Sequence, residues 1–145
     1  MPSVFKYNGN EIIDSSGKLT ATAMNSSGDA PVYGCRAWVN FDGTKDTSGA
    51  SSTANTNRLI RASGNVASVL RNGTGDYTIT FTTAMPDADY CAVSMATRDV
   101  GEGSLRATVY DLDDTKSTTA FQVRTLDVDN SSQNDQAFVS VAIFR

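Results

Sequence analysis

The sequence predicts an all-β fold: an antiparallel β-sandwich of about eight short strands that follows an extended N-terminal arm. Three observations predict it. Apolar and polar residues alternate over several short runs, which is the period of a half-buried strand. Turn-forming residues, among them Asn72 and Gly73, separate these runs. No window of about 11 residues carries an apolar period of 3.6, so we expect little helix.

The alternation predicts most of these strands directly. The clearest is 76–83, where aromatic and aliphatic residues alternate with threonines. The last strand is apolar on both faces, so we expect it to be central in its sheet or buried at a subunit contact. The predicted strands cover residues 33–41, 65–70, 76–83, 90–97, 105–109, 121–128 and 137–144.

Two segments lack the strand pattern. Residues 42–57 are nearly all small and polar, which is typical of a surface loop. Residues 1–30 hold too few apolar side chains for a core of their own, and we expect an extended arm that docks on residues 31–145, the sandwich domain, or on another chain. The arm's apolar anchors are Val4, Phe5, Tyr7, Ile12, Ile13 and Leu19, with Met24 beyond them.

Composition excludes several functions. The 145 residues suit one domain. Without histidine the chain cannot build Ser-His-Asp or Cys-His catalysis, and zinc loses its main nitrogen ligand. An isoelectric point near 4.6 provides no basic footprint for nucleic acid. No apolar run approaches the ~20 residues that span a bilayer. We therefore predict no catalytic, cofactor-binding or metal-binding residues, no cofactor and no membrane insertion.

The carboxylates support neither a cation site nor hydrolysis. Asp127 and Asp129 alternate on one predicted strand, which would put two oxygens on one face for Ca²⁺, but no EF-hand loop pattern follows them. We interpret them as solvated turn residues. Glycoside hydrolysis needs a desolvated acid. The two glutamates, Glu11 and Glu102, lie in the arm and between two glycines of a turn, so we expect no enzyme.

Three further side chains need an interpretation. Cys35 and Cys91 are enough for one disulfide by number, but we predict two small buried side chains on different strands, since intracellular thiols stay reduced. Trp38 alternates away from the apolar stripe of its strand. A position in the core of the opposite face or at a subunit contact is favoured over a platform for stacking a sugar.

The predicted strands also leave an edge problem. Sheet edges must be covered or blunted, commonly with charged residues such as lysine. Lys and Glu are scarce on these strands. Together with the last strand, apolar on both faces, and the weakly anchored arm, this predicts an oligomer in which subunits cover one another.

Several phrases of the sequence resemble a known group of proteins. The phrases are YGCRAWVNFDGT at 33–44, IRASGNV at 60–66, NGTGDYTI at 72–79 and FTTAMPD at 81–87. They are similar to segments of tail fibres and other virion structural proteins of tailed bacteriophages, including those of cyanobacteria. The resemblance covers roughly residues 31–97. The phrase NGNEIIDSSGKL at 8–19 also resembles a short register-setting segment of phage fibres.

The resemblance implies a function without catalysis. It implies a bacteriophage virion structural protein: a homotrimeric tail-fibre or receptor-binding subunit, made in the bacterial host cytoplasm and released by lysis. Residues 1–30 would attach it to other virion proteins of the tail or capsid, and its partner outside the virion would be a host surface polysaccharide or protein. A protein that decorates the capsid is the alternative, and a carbohydrate-active enzyme is a more distant one.

The candidate receptor contacts lie in long polar loops, because such loops on a β scaffold can vary without disturbing the core. The loops are 42–57, 98–104 and 129–136. Their candidate residues are Asp42, Lys45, Asp46, Asn55, Asn57, Arg98, Glu102, Asn130, Gln133 and Asn134.

Overall fold

A computed structural model describes residues 4–7, 9–17, 34–97, 106–109, 116–129 and 131–145. All the regular secondary structure in these ranges is β, so the predicted all-β class is confirmed. No helix in them is long and apolar enough to cross a membrane. The chain divides into two compact units, residues 1–34 and 35–145, where the sequence predicted a boundary between residues 30 and 31.

The first unit contains a β-hairpin. Strand β1 (Phe5–Tyr7) pairs antiparallel with β2 (Asn10–Ile13). The turn between them needs a left-handed backbone, which Gly9 provides with a φ of 81°. Residues 5–13 therefore fold back on themselves, whereas the sequence predicted an extended arm. Leu19, one of the predicted anchors, lies outside the described residues.

The second unit is an antiparallel β-sandwich, as predicted. Its first sheet has the strand order β4-β3-β10-β7 and its second sheet the order β5-β6-β9-β8. All the strand pairs are antiparallel. The strands are β3 (Cys35–Asp46), β4 (Arg58–Gly64), β5 (Val66–Gly73), β6 (Asp76–Phe81), β7 (Cys91–Ala96), β8 (Arg106–Val109), β9 (Ala120–Asp127) and β10 (Val139–Phe144).

The core lies between the two sheets and follows the period-two pattern. Phe41 of the first sheet meets Tyr77 of the second edge to face, with ring centroids 5.0 Å apart. Each large apolar side chain removed from water contributes roughly 1.5–3 kcal/mol. The inward residues of the central strands are Ala37, Val39, Phe41, Val139, Val141 and Ile143 from the first sheet and Tyr77, Ile79, Phe81, Phe121 and Val123 from the second.

The predicted central position of the last strand is confirmed. β10 pairs with β3 on one side and with β7 on the other. Its inner side chains are almost fully buried, while Ala142 and Phe144 are half-buried on the outer face.

Three strands differ from the prediction. β3 continues to Asp46, and β4 begins at Arg58, so the predicted loop 42–57 is confined to residues 47–57. The alternation of apolar and polar residues does not predict β4, because the buried position at its start is occupied by a charged residue. Arg58 is only 1% exposed. In β7 the larger side chains Val93 and Met95 face outward, because Ser94 uses the inner face to donate a hydrogen bond from its Oγ to Oγ1 of Thr108 on β8, 2.7 Å away.

Candidate interaction face

The outer face of the first sheet is the candidate site. Residues that pair across antiparallel strands point to the same face. One row crosses the sheet through Gly64, Trp38, Ala142 and Val93, in the strand order β4-β3-β10-β7. The next row crosses it through Ala62, Asn40, Ser140 and Met95. The register therefore decides which side chains stand beside one another on this surface.

These rows form a groove along β10. Ser140 and Ala142 are small, and they lie between larger side chains on β3 and β7. The groove has a volume of about 390 Å³. Its walls are apolar and open to solvent: Trp38 is 44%, Val93 57% and Met95 66% exposed. We call these residues, together with Ala142, the apolar wall set.

Trp38 is held on this surface by a glycine. A Cβ built on Gly64 would lie 2.5 Å from Nε1 of Trp38, far closer than real Cβ contacts. The indole therefore occupies the space above Gly64 on the neighbouring strand. Trp38 faces away from the core stripe as predicted, but its exposure shows that it is not part of a core within this chain.

Polar groups lie at one end of the groove. Asn40 donates from Nδ2 to Oγ of Ser140, 2.9 Å away. Arg61 donates to Oδ2 of Asp42 at 2.6 Å and lies 4.0 Å from the ring centre of Phe138. The charge of Asp42, beside the groove, is therefore balanced by the charge of Arg61. At the other end Arg36 is exposed, and its Nε donates to the carbonyl oxygen of Arg145.

The outer face of the second sheet is different in kind. Asp76 accepts hydrogen bonds there from Gln122 at 2.8 Å and Asn72 at 3.0 Å, and it pairs with Arg124 at 3.4 Å. Asn72 also donates to Oγ1 of Thr78. This network is suited to solvent. The same face also exposes two apolar side chains, Leu70 and Val109, each by 39%.

A buried polar cluster holds one end of the sandwich together. Asp135 accepts hydrogen bonds from Arg71, from the hydroxyl of Tyr77 at 2.6 Å and from the backbone N–H of Gly75 at 2.8 Å. Burial by itself raises the pKa of Asp135, but these hydrogen bonds outweigh it and hold the pKa below the ordinary value. Burial, and then the carboxylate of Asp135, raise the pKa of Tyr77. The cluster is therefore an ionised carboxylate with neutral Tyr77 and cationic Arg71.

Two buried arginines fasten the loop 47–57. Arg71 donates from Nη1 to the carbonyl oxygen of Thr53 at 2.8 Å and to Oδ1 of Asn55 at 2.6 Å. Arg58 donates to the carbonyl oxygens of Ser52 and Ala54. The sequence pattern did not single out Arg58, Arg71 or Asp135. The signal that could have found them is an arginine at a position where the strand period expects an apolar residue.

The predicted contact residues of the first loop separate in the structure. Asp42 is not a loop residue: it lies in β3, is 3% exposed and pairs with Arg61, which corrects its prediction as a surface contact. Lys45 and Asp46 end the same strand. Asn57 is exposed, but Asn55 is engaged by Arg71.

The other predicted loops are described in part. Gln133 is exposed and bridges to Leu126, and Asn134 donates its N–H to the carbonyl oxygen of Thr125. Asp129 is exposed and donates its N–H to Oδ1 of Asp127, which is a turn contact. Asp127 itself ends β9 and is only 8% exposed, so the prediction that it is a solvated turn residue is wrong. Arg98, Glu102 and Asn130 lie outside the described residues. Among the described residues no three His, Cys, Asp or Glu side chains gather in a metal-binding group.

The two cysteines are free and exposed, which corrects the prediction that they are buried. Cys35 and Cys91 both stand opposite Phe144, one on each side of β10. Strands lie about 4.8 Å apart, so the two Cα atoms are separated by roughly 10 Å. A disulfide needs them within ~7 Å. The fold therefore keeps the thiols apart within one chain.

No family model, curated protein or solved structure matches the chain. The candidate face is thus defined by its own geometry: an open, apolar groove on the outer face of the first sheet.

Proposed function

We propose that the chain is a virion structural protein of a tailed bacteriophage, a homotrimeric tail-fibre or receptor-binding subunit that attaches to the host surface without catalysis. The observation that carries the proposal is the exposed apolar wall set on one sheet of a well-packed sandwich. Contiguous exposed apolar patches mark interaction surfaces. The resemblance of residues 31–97 to phage virion proteins supports the same class of function.

The internal bonding of the sandwich suits a structural part. The loop 47–57 is fastened by Arg58 and Arg71, and one end is held by Asp135. A subunit that transmits or resists force on a particle gains from such bonding, because loops tied to buried groups open less readily. The sequence has no histidine, so a histidine-dependent catalytic triad cannot be built within it.

Attachment to the particle is assigned to residues 1–30. The hairpin in this region exposes Phe5 by 57% and Tyr7 by 67%. Two neighbouring aromatic side chains on one face of a strand can be buried by another virion protein. Such a subunit is made in the bacterial host cytoplasm and reaches the outside by lysis.

Capsid decoration is the second candidate. The same apolar face would then cover the joints between capsid subunits. The copy number separates the two positions: hundreds per particle indicate the head, and a few to a few tens indicate the tail. A carbohydrate-active enzyme is the least supported of the three candidates. Release of reducing ends from host polysaccharide by the purified chain would be the evidence for it.

Two measurements test the proposal. Antibody against the purified chain should label intact phage particles, at the tail for a fibre and over the head for a decoration protein. The purified chain should also bind host cells and compete with phage adsorption. A chain that neither labels particles nor binds cells would contradict the proposal. Labelling of the head without cell binding would favour the decoration protein.

A further inference from the structure

We propose that Asn72 is a site of spontaneous covalent modification, at which its side-chain amide is lost through attack by the backbone nitrogen of Gly73. That nitrogen loses its proton and bonds to Cγ of Asn72, which closes a succinimide ring and releases ammonia. Water then opens the ring at one of its two carbonyl carbons and leaves aspartate or isoaspartate. The sum of the steps consumes one water molecule and releases one ammonia, so the reaction needs neither an oxidant nor an enzyme.

The sequence distinguishes Asn72 from the other asparagines of the sandwich. Residues 35–145 contain seven asparagines, and Asn72 is the only one of them that precedes glycine. Glycine has no Cβ to hinder its own nitrogen, and its backbone is the most permissive. Attack within one chain is also favoured because the reacting atoms are already held near each other. Asn8 precedes glycine as well, but it lies outside the described residues.

The fold places this pair at a break in the ladder between β5 and β6. Arg71 pairs with Tyr77, and Gly73 pairs with Asp76. The register shifts between these two pairs, at Asn72, and such a shift leaves one residue outside the ladder. The side chain of Asn72 is exposed, and no heavy atom approaches within 4 Å of the Cβ position of Gly73. The ring therefore has room to form at the surface, where water reaches it.

Two hydrogen bonds hold the amide nitrogen that would leave. Nδ2 of Asn72 donates to Oδ1 of Asp76 at 3.0 Å and to Oγ1 of Thr78 at 2.9 Å. Both bonds must break when ammonia is released. The folded hairpin therefore slows the first step, and the hydroxyl of Thr78 helps to set its rate.

The product changes the charge at this end of the hairpin. A carboxylate at residue 72 would face Asp76 where an N–H donor now lies 3.0 Å from it, and like charges this close repel. Isoaspartate would also lengthen the main chain by one carbon atom. Arg71 and Gly75, on either side of the site, both donate to the buried carboxylate of Asp135. Modification should therefore loosen the turn and the buried cluster together.

The experiment incubates the intact chain for days at mildly alkaline and at mildly acidic pH. Digestion and mass spectrometry then measure, for each asparagine, the fraction in which OH has replaced the amide NH₂. Asn72 should account for nearly all the conversion within residues 35–145. Its rate should rise with pH, because the nitrogen of Gly73 attacks after losing its proton. Isoaspartate and aspartate peptides should both be found, since the ring opens at either carbonyl.

Two variants test the route. Gly73→Ala should slow the conversion of Asn72 by roughly 10-fold, because the added methyl group hinders the attacking nitrogen and restricts its backbone. This alanine has open space around it, so the fold is kept. Thr78→Val should speed the conversion by roughly 2–10-fold, which corresponds to the loss of one hydrogen bond.

A third variant tests the consequence. Asn72→Asp introduces one of the two products directly, and Asn72→Ala is its matched control, since alanine loses the same hydrogen bonds without adding a charge. The aspartate variant should unfold at a lower urea concentration than the alanine variant. Equal midpoints would show that repulsion from Asp76 does not loosen the hairpin.

The outcomes decide each step. An Asn72 that stays intact at mildly alkaline pH, or that is converted no faster than the other asparagines of the sandwich, overturns the proposal. Equal rates in wild type and Gly73→Ala, without isoaspartate, would indicate direct hydrolysis and overturn the attack by the backbone nitrogen. A Thr78→Val chain that reacts no faster than wild type would overturn the control of the rate by the hydrogen bonds.

Discussion

Trp38 and Gly64 lie opposite each other on neighbouring strands, and the indole fills the space that a side chain at residue 64 would need. The exposed aromatic surface of the interaction face thus depends on a glycine in the adjacent strand. Gly64→Ala should push the indole off the sheet, with a red shift of the Trp38 emission and a loss of about 1–3 kcal/mol of unfolding free energy.

Gly73→Ala is the control for this substitution. Gly73 also lies in a strand, but no heavy atom approaches within 4 Å of the Cβ position. The control should leave the emission and the stability nearly unchanged. Equal effects of the two alanines would contradict the packing of Trp38 on Gly64.

A second prediction concerns the acid sensitivity of Asp135. Its pKa in the folded protein is lower than the ordinary value of 3.8, so the carboxylate stabilises the fold at neutral pH. This contribution is fully present above the unfolded pKa. It should be lost as the pH falls below about 4 and through the lowered folded pKa.

Asp135→Asn should show the size of that contribution. Removing one partner of a largely buried ion pair costs about 3–5 kcal/mol, because Arg71 keeps a charge with no carboxylate beside it. Urea unfolding at pH 7 and pH 3 provides the measurement. The gap between wild type and variant should be large at pH 7 and narrower at pH 3. A gap that is constant across this range would contradict the ionised state of Asp135.

The fold was predictable to the extent that its strands keep the period of two. The stripe at 77, 79 and 81 and the doubly apolar β10 show it, and both were predicted correctly. β4 escaped prediction because Arg58 is buried by hydrogen bonds to the loop that precedes it. The period of a strand does not reveal a buried charge whose hydrogen-bond acceptors are carbonyl oxygens of a loop.

The candidate site was less predictable, for a related reason. Val93 and Met95 have the pattern of a core stripe, and only the position of β7 at the sheet edge, beside β8, turns them outward. Ala142 and Gly64 belong to the candidate face only because Trp38 of β3 lies beside each of them. A groove arises from the register between strands that are far apart in sequence, and single-strand patterns do not contain that information.

A third prediction concerns the loop 47–57. Arg71 binds both Thr53 and Asn55 of this loop and is itself 5% exposed. Arg71→Met should free the loop and leave two acceptors without their donor. Limited proteolysis should then cut within residues 47–57 at least 10-fold faster than in wild type, since cleavage follows the population of the opened segment. Arg36→Met, at an exposed arginine, is the control and should not change the cleavage rate.

A fourth prediction concerns the thiols. Because β10 separates Cys35 from Cys91, both should react with a thiol reagent in the native, non-reduced protein. The intact mass should equal that of the fully reduced chain. Cys35→Ser and Cys91→Ser should each leave one reactive thiol and an unchanged melting temperature. A chain that loses the mass of two hydrogens and reacts with no reagent would show the disulfide that this register forbids.

A fifth prediction concerns the corner where the chain leaves the first sheet for the second. Asn65 joins β4 to β5 with a φ of 56°. Its Nδ2 donates to the carbonyl oxygens of Arg36 and Thr83, and its Oδ1 accepts the N–H of Thr83 at 2.7 Å. Asn65→Gly keeps the backbone freedom and loses these bonds, whereas Asn65→Ala also takes on left-handed strain. The alanine variant should therefore unfold at a lower urea concentration than the glycine variant, by the equivalent of about 1 kcal/mol. Both should fall below wild type, since each missing hydrogen bond costs roughly 0.5–1.5 kcal/mol. If the alanine variant is as stable as the glycine variant or more stable, the left-handed backbone at residue 65 does not contribute to stability.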